Sequence, residues 1–289
     1  QNPDDMAKEM VRQTIIENHQ DGEDAREPGW HKRSSALHLR VQGIGESVLK
    51  AARAEVAAML AAMPLKNPLE DTQVTEQRAK LEAAGARLRG TWQWVVTNSQ
   101  DINAYVTPTC PRRVFVTEGL MTKLKLTDDE LAFIMGHELS HLLHGHGEDH
   151  ITDQVGQNVA LLMVFGMIDP TGIFAFATTA LASLYLAVEG KAHSRSHEAE
   201  ADESGLAICT RACFDKAAAA SVISKLQKVA GHEGLTRASW LDTHPAEAER
   251  ISALSHQAIN LAPDHTTHCS QKARLWRAWR PPLAGAAVK

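Results

Sequence analysis

The spacing of apolar residues predicts a chain that is helical towards both ends, with a short β-rich section between. Amphipathic patterns predict helices near 4–19, over 34–63 and over 72–89. Short β-branched and aromatic runs, separated by turn residues, follow at 91–96, 102–106 and 112–117. We expect these three runs to form a small antiparallel sheet.

A further helix is predicted to begin after Thr127. Thr127 and Glu130 have the spacing of a capping box, and acidic residues in the first turn suit the positive end of the helix dipole. One face of this helix is apolar, and its members are Leu131, Ile134, Met135 and Leu142. His137 and His141 fall on the Ile134 side of that face, so we expect both imidazoles to point inward.

The following section is strongly apolar. Residues 171–188 contain no charged side chain, and a shorter apolar run at 155–168 precedes them. Two buried core helices are one interpretation and a membrane hairpin is the other, because 18 residues lie close to the lower limit for a membrane span. Helical patterns return at 194–212, 215–230 and 245–261, before a tail that we expect to be loosely held.

Charge divides the chain unevenly. The net charge of −5 is carried by residues 1–29, and the rest of the chain is neutral. Because the sequence provides no excess of basic residues, we do not expect it to bind nucleic acid. We expect an acidic, partly flexible segment at 1–33, one folded domain at 34–265 and a tail at 266–289. Low aromatic content and abundant alanine favour a mostly helical α+β fold.

Four cysteines leave the redox state open. Cys110, Cys209, Cys213 and Cys269 allow three pairings, and the sequence does not choose among them. Cys209 and Cys213 are four apart in a helical pattern, which is at the edge of disulfide geometry. Free buried thiols are the alternative.

The stretch "GHELSHLLHGH" at 136–146 carries the candidate chemistry. His137 and His141 lie one helical turn apart, so both rings can reach one Zn²⁺. Glu138 lies beside the pair, where it can act as general base towards a zinc-activated water. A solvated histidine-rich helix is the alternative, but the capped helix and the inward-facing histidines favour catalytic zinc.

A third ligand is expected from "SRSHEAEAD" at 194–202. Glu198 and Asp202 lie one turn apart, so Glu198 can complete a His₂Glu set while Asp202 orients a ligating histidine. Glu200 lies on the opposite face and is ranked below Glu198. An exposed acidic helix is the alternative for this stretch. Several other histidines are expected to face solvent: His144, His146, His150, His265 and His268.

Together, "HELSH" and "SRSHEAEAD" resemble the motifs of the HtpX, BepA and CAAX-prenyl-protease family of zinc metallopeptidases. "NSQDINAYVTP" resembles that family's edge strand, "VFVTEGL" the element after it, and "THPAEAERI" its late His-Pro element. The resemblance runs from about 92 to 252. The departures are Thr109-Cys110, where the family usually has a glycine pair, and "ACFDK" at 212–216.

The resemblance implies a zincin-like fold with the sheet over the HExxH helix, and one zinc held by His137, His141 and Glu198. It places His244 and Arg250 near the metal, where either is a candidate second donor to the oxyanion. A further hypothesis is that His244 occupies the open zinc position at rest. Substrate is expected to add as a strand along 102–106, at Asn103, Ala104 and Tyr105.

The resulting functional prediction is a zinc endopeptidase that cleaves misfolded or damaged envelope proteins. The resemblance favours the exported soluble type, in the bacterial periplasm or at the outer membrane, with peripheral or lipid-anchored membrane association. A zinc-bound, chaperone-like binding protein with latent or vestigial proteolysis is the alternative. A membrane-embedded processor of one specific peptide is a third possibility. The oligomeric state stays open.

Overall fold

A computed structural model describes residues 8–13, 29–63, 72–107, 110–146, 195–230, 240–245, 248–261 and 269. Helices dominate these ranges and a small sheet accompanies them, which confirms the α+β prediction. The helices span 8–13, Ala36–Ala62, Thr72–Arg87, Glu118–Lys123, Asp128–His144, 195–211, Ala218–Ala230, Trp240–Thr243 and Ala248–Asn260. The strands are β1 (Gln93–Thr97), β2 (Ala104–Val106) and β3 (Arg113–Thr117).

The sheet is mixed, so the prediction of a purely antiparallel sheet was wrong. Its strand order is β1-β3-β2, with β1 parallel to β3 and β2 antiparallel to β3. After β1 the chain passes to the far side of the sheet, forms β2 there, and then turns back to insert β3 in the middle. The outer side of β1 is paired by a preceding segment, through Asn98 N–H to Gly29 C=O and His31 N–H to Val96 C=O.

The Asp128–His144 helix, here called the HExxH helix, lies in the core. The predicted capping box is present, with Thr127 accepting from the Glu130 backbone and Glu130 accepting from Thr127 N–H. The predicted inward face is fully buried at Leu131, Ile134 and Met135. That face belongs to the same buried apolar core as residues of the long Ala36–Ala62 helix, and removal of this apolar surface from water stabilises both helices.

Two glycines bring the HExxH helix and the 195–211 helix into close approach. A Cβ on Gly136 would lie 3.1 Å from the Gly205 carbonyl oxygen, and one on Gly205 would lie 3.0 Å from the backbone nitrogen of His137. A side chain at either position would therefore push the helices apart. This crossing places Glu198 and Asp202 directly over the two histidines of the motif.

One disulfide is present among the described residues. Cys213 pairs with Cys269, while Cys110 and Cys209 are buried and belong to no disulfide. The bridge attaches residue 269 to the end of the 195–211 helix. It is one of the bonds that the three possible pairings allowed, and it joins residues 56 apart in sequence.

Several predicted features lie outside the described residues. They are the acidic loop, the apolar runs at 155–168 and 171–188, and most of the tail; of the helix expected near 4–19, residues 8–13 are described and helical. The division at 33 and 265 stays a prediction. No helix within the described ranges has the length and apolar character needed to cross a membrane.

Candidate metal centre

The two histidines of the HExxH helix face the 195–211 helix. His137 is fully buried, and the side chain of His141 is 15% exposed. Their Nε2 atoms lie 3.0 Å apart, and both face the Glu198 carboxylate, at 3.4 Å for His137 and 3.2 Å for His141. The predicted ligands are therefore brought together, as the helical spacing indicated.

His244 joins the same cluster. Its Nδ1 lies 2.7 Å from Glu198 Oε1 and 3.3 Å from His137 Nε2. One donor atom each from His137, His141, Glu198 and His244 fall within 4.8 Å of one another. Ligands about 2.0–2.1 Å from a tetrahedral metal lie about 3.3 Å from each other. The four side chains fit a metal ion.

Asp202 and Arg250 form a buried ion pair behind His137. Asp202 Oδ1 lies 3.0 Å from His137 Nδ1, and the Arg250 guanidinium donates to both Asp202 oxygens at 2.8 and 2.7 Å. Arg250 also contacts Glu198 Oε2 at 2.9 Å and the Pro245 carbonyl at 2.8 Å. The guanidinium therefore points at the rear of the ligand set.

The electrostatics of the cluster resemble those of a cation site. Burial lowers the pKa of His137, but the bonds to Asp202 and Glu198 outweigh it and raise the pKa to about 9. Burial lowers the pKa of His141 to about 3, with the charges of His137 and His244 adding to the effect. Burial opposes ionisation of Glu198, yet three histidines hold its pKa far below the usual range. The carboxylates of Glu198 and Asp202 therefore stay ionised and surround a positively charged His137.

Glu138 stands beside the ligand set and outside it. It is almost fully buried, and its Oε1 accepts a 2.9 Å hydrogen bond from the indole Nε1–H of Trp240. His244 Nε2 lies 3.6 Å from the same oxygen. The carboxylate is therefore held next to the cluster, where a base for a bound water is required.

Trp240 was missed by sequence reasoning. Its ring lies against His137 and His244, at centroid distances of 5.6 and 4.7 Å. Its backbone N–H donates to Ile102 C=O at 3.1 Å, and the His244 N–H donates to the Trp240 carbonyl. A tryptophan one helical turn before the His-Pro element was the available signal, since i and i+4 share a face.

A second cluster lies on the outer side of His141. His141 Nδ1 is 2.8 Å from His146 Nδ1, and His146 Nε2 is 3.0 Å from Glu200 Oε2. His144 contacts Glu200 Oε1 at 3.1 Å and Ser204 Oγ at 2.8 Å. Within the described residues, His144, His146 and Glu200 form a second group that could hold a metal ion.

The prediction that His146 faces solvent was wrong. The residue is only 5% exposed, because Gly145 ends the HExxH helix in the left-handed region at φ 78° and returns the chain towards His141. His144, also expected to face solvent, is exposed, with 30% of its side chain accessible. His150, His265 and His268 lie outside the described residues.

The predicted substrate strand forms one edge of the sheet. Asn103 gives its backbone N–H to Thr117 Oγ1, and its carbonyl accepts from Thr117 N–H, so both groups face β3. Ala104 pairs with Val116, and Tyr105 stacks on Phe115 at a ring distance of 4.8 Å. Alternation along an antiparallel ladder turns the polar backbone groups of Ala104 away from β3.

A family model confirms the resemblance seen in the motifs. The model of peptidase family M48 matches residues 68–258, which is more than half of the chain. The chain belongs to peptidase family M48. The match includes every candidate ligand of the cluster, and at the level of the family it supports the metallopeptidase prediction.

The curated relatives reported for this M48 chain are named as metalloendopeptidases or as metalloproteases. Mitochondrial metalloendopeptidase OMA1 of Bos taurus is 32% identical over 210 residues, which cover 67% of this chain and 36% of the relative. The Homo sapiens protein of that name is 29% identical, over 56% of this chain and 32% of its own length. Metalloprotease LoiP of Escherichia coli is 29% identical, over 53% and 57%. The chain thus spans only part of each relative.

Proposed function

We propose that this protein is a zinc-dependent endopeptidase. The observation that carries the proposal is the convergence of His137, His141 and Glu198 on one point, with the carboxylate of Glu138 beside it. Two imidazoles and one carboxylate are a common catalytic ligand set for zinc, whereas calcium and magnesium prefer oxygen ligands alone. The M48 match supports the same chemistry.

Glu138 is the proposed general base. Zinc bound at the site would supply a Lewis acid that polarises the peptide carbonyl and activates a water molecule. Glu138 then takes a proton from the attacking water and passes it to the leaving amine. The hydrogen bond from Trp240 holds one carboxylate oxygen and leaves the other available for this transfer.

We assign different roles to the two candidate oxyanion residues. His244 sits inside the cluster and its Nε2 lies 3.6 Å from Glu138, so its ring can reach a reacting carbonyl group once it leaves the ligand set. Arg250 is engaged by Asp202, Glu198 and the Pro245 carbonyl. For Arg250 we therefore propose an orienting role behind the ligands.

Substrate is proposed to add as a strand to the β2 edge. The neighbouring carbonyl of Ile102 already accepts a backbone hydrogen bond from Trp240, which itself contacts Glu138. The next outward-facing backbone groups in that row belong to Ala104 and Val106. A peptide paired there would run towards Glu138. The backbone groups of Asn103 hydrogen-bond to β3, and those of Ala104 would hydrogen-bond to the substrate.

For the physiological role, we propose cleavage of misfolded or damaged envelope proteins by an exported enzyme. Binding through the backbone of an extended peptide accepts many sequences, which suits unfolded substrates. The Cys213–Cys269 disulfide supports an oxidising compartment such as the periplasm. Peripheral or lipid-anchored association with the outer membrane is part of the same proposal and rests on the family resemblance alone.

The position of His244 supports a second candidate, a latent zinc-bound protein with a chaperone-like binding role. His244 completes a four-member ligand group, and a filled fourth position leaves no place for substrate. In the proposed resting state His244 fills the fourth position and substrate has to displace it, so a His244→Ala variant, which has no ring to displace, should cleave faster in the basal state. Basal proteolysis that is unchanged or lower in this variant contradicts the plugged state.

The first experiment is to measure zinc content and casein cleavage for the wild type and Glu138→Gln side by side. Glu138→Gln keeps the shape of the side chain and removes the base. Equal zinc content with cleavage by the wild type alone is the expected result. Zinc in both proteins and cleavage by neither would favour the latent protein, and a wild type without zinc would overturn the proposal.

A further inference from the structure

The outer face of His141 carries a contact that the endopeptidase mechanism does not use. A chain of two short contacts leads from His141 Nδ1 to His146 Nδ1, and from His146 Nε2 to Glu200 Oε2. His146 is buried, and its ring stacks on His197 at a centroid distance of 4.0 Å and an interplanar angle of 8°. The ring of His146 is therefore held in one orientation.

The protons in this chain have one consistent arrangement. When His141 Nε2 binds a metal, a neutral His141 ring carries its proton on Nδ1. That N–H must donate to His146 Nδ1, 2.8 Å away. His146 then carries its own proton on Nε2, and it donates that proton to Glu200 Oε2 at 3.0 Å. Every group is satisfied without a further ion.

A second metal at His144, His146 and Glu200 conflicts with this arrangement. It would need the lone pair of His146 Nε2, so the His146 proton would move to Nδ1. Two N–H groups, on His141 and His146, would then face each other at 2.8 Å. The hydrogen-bonded chain therefore explains the second cluster better than a second metal does.

We propose that His146 is a positioning residue for the metal ligand His141, with Glu200 as its own hydrogen-bond partner. The inference rests on the proposed ligand set. A hydrogen bond to the outer nitrogen fixes the tautomer and orientation of a ligating histidine and raises its basicity, and its loss typically costs about 10–100-fold in metal affinity.

The test is the zinc affinity of His146→Phe, measured by competition with a chromogenic chelator. Phenylalanine keeps a flat ring against His197 and removes both nitrogens. We expect affinity to fall by about 10–100-fold. His146→Gln, which retains an acceptor and a donor, should restore much of the loss. His144→Ala is the matched control, because His144 contacts Glu200 and Ser204 within the same cluster; it should leave affinity unchanged.

Thermal unfolding separates positioning from general packing. We expect His146→Phe to shrink the increase in Tm that zinc produces and to change the Tm in chelator much less. Equal losses of Tm with zinc and with chelator would overturn the proposal. Two zinc ions in the wild type, with one lost in His144→Ala, would overturn it in favour of a second metal site.

The outcomes also distinguish this inference from the proposed function. If the wild type binds one zinc and Glu138→Gln abolishes cleavage, while His146→Phe binds zinc as tightly as the wild type, the inference alone fails. If the wild type binds no zinc, the proposed function fails and takes the inference with it. All affinities can be measured in Glu138→Gln proteins, so no readout depends on proteolysis.

Discussion

The two histidines of the HExxH helix are supported from behind in different ways. His137 lies against Asp202, which is 4% exposed and paired with the buried Arg250. His141 lies against His146, whose own partner Glu200 has a side chain 51% exposed. His137 is therefore supported by a buried charged pair in the core. His141 is supported by a neutral imidazole, whose own partner lies at the surface. We expect the first arrangement to carry stability and the second to tune the metal.

Asp202→Ala should give the largest effect. It removes the two hydrogen bonds between the buried Arg250 guanidinium and the Asp202 carboxylate, while the contacts of Arg250 with Glu198 and the Pro245 carbonyl remain. Removing one member of a buried pair costs about 3 kcal/mol or more, because the remaining charge loses its main partner in the protein interior. Urea unfolding in the presence of chelator measures this loss independently of zinc.

The control for Asp202→Ala is the double variant Asp202→Ala/Arg250→Met. Removing both charges should recover part of the lost stability, since no buried guanidinium is then left without the Asp202 carboxylate. A double variant that is no more stable than the single one would show that the ion pair is not the source of the effect. The contrast between the two histidines would then disappear.

The pH dependence of the chelated protein should differ for the two ligands. The pKa of His137 is raised to about 9, so the native state binds more protons than the unfolded state and stability falls as pH rises from about 6.5 through 9. The pKa of His141 is lowered to about 3, so stability falls as pH drops from about 6.5 towards 3. Unfolding free energies across this range measure both limbs.

Variants assign the two limbs. His137→Gln should flatten the decline above pH 6.5, and His141→Gln should reduce the decline below it. Glu198 and Asp202 also have lowered pKa values, so their protonation destabilises the protein in acid as well. The contribution of His141 is therefore the difference between the wild type and His141→Gln at each acidic pH. If the unfolding free energy of His137→Gln still falls above pH 6.5 as in the wild type, the contact between His137 and Asp202 is not the cause of that fall.

The position of Asp202 behind His137 could be predicted from helical spacing in the sequence, whereas the position of His146 behind His141 could not. Glu198 and Asp202 share a helix face at a spacing of four, and His137 and His141 do the same, so two periodic patterns were sufficient. His146 lies beyond the end of its helix, where the 3.6-residue period no longer applies. Its direction depends on Gly145 at positive φ and on the packing of His197 from another helix.

The sheet shows the same limit at the level of topology. The strand positions followed from β-branched and aromatic runs, because local composition favours extended backbone. The parallel pairing of β1 with β3 depends on where the chain travels between them, and alternation of side chains is the same in both directions. The Cys213–Cys269 bond is likewise set by the tertiary fold.

Trp240→Phe sharpens the comparison by changing a residue that contacts the base. Phenylalanine keeps a ring beside His137 and removes the 2.9 Å hydrogen bond to Glu138. Loss of a hydrogen bond to a charged group costs about 1.5 kcal/mol, so kcat/KM should fall about tenfold. Zinc affinity should not change. In a Glu138→Gln protein the same substitution should have no further effect on residual cleavage, and an additive loss there would exclude the positioning of Glu138 as the cause.

Glu200→Gln should give the smallest effect and the clearest contrast with Asp202. The amide keeps an acceptor oxygen for the His146 Nε2–H, so the chain to His141 stays connected with less charge behind it. Zinc affinity should fall by only about threefold, below the range expected when the contact is removed. Because the side chain is half exposed, the unfolding free energy in chelator should change by less than about 0.5 kcal/mol. A loss of stability comparable with that of Asp202→Ala would mean that both histidines rest on buried charge.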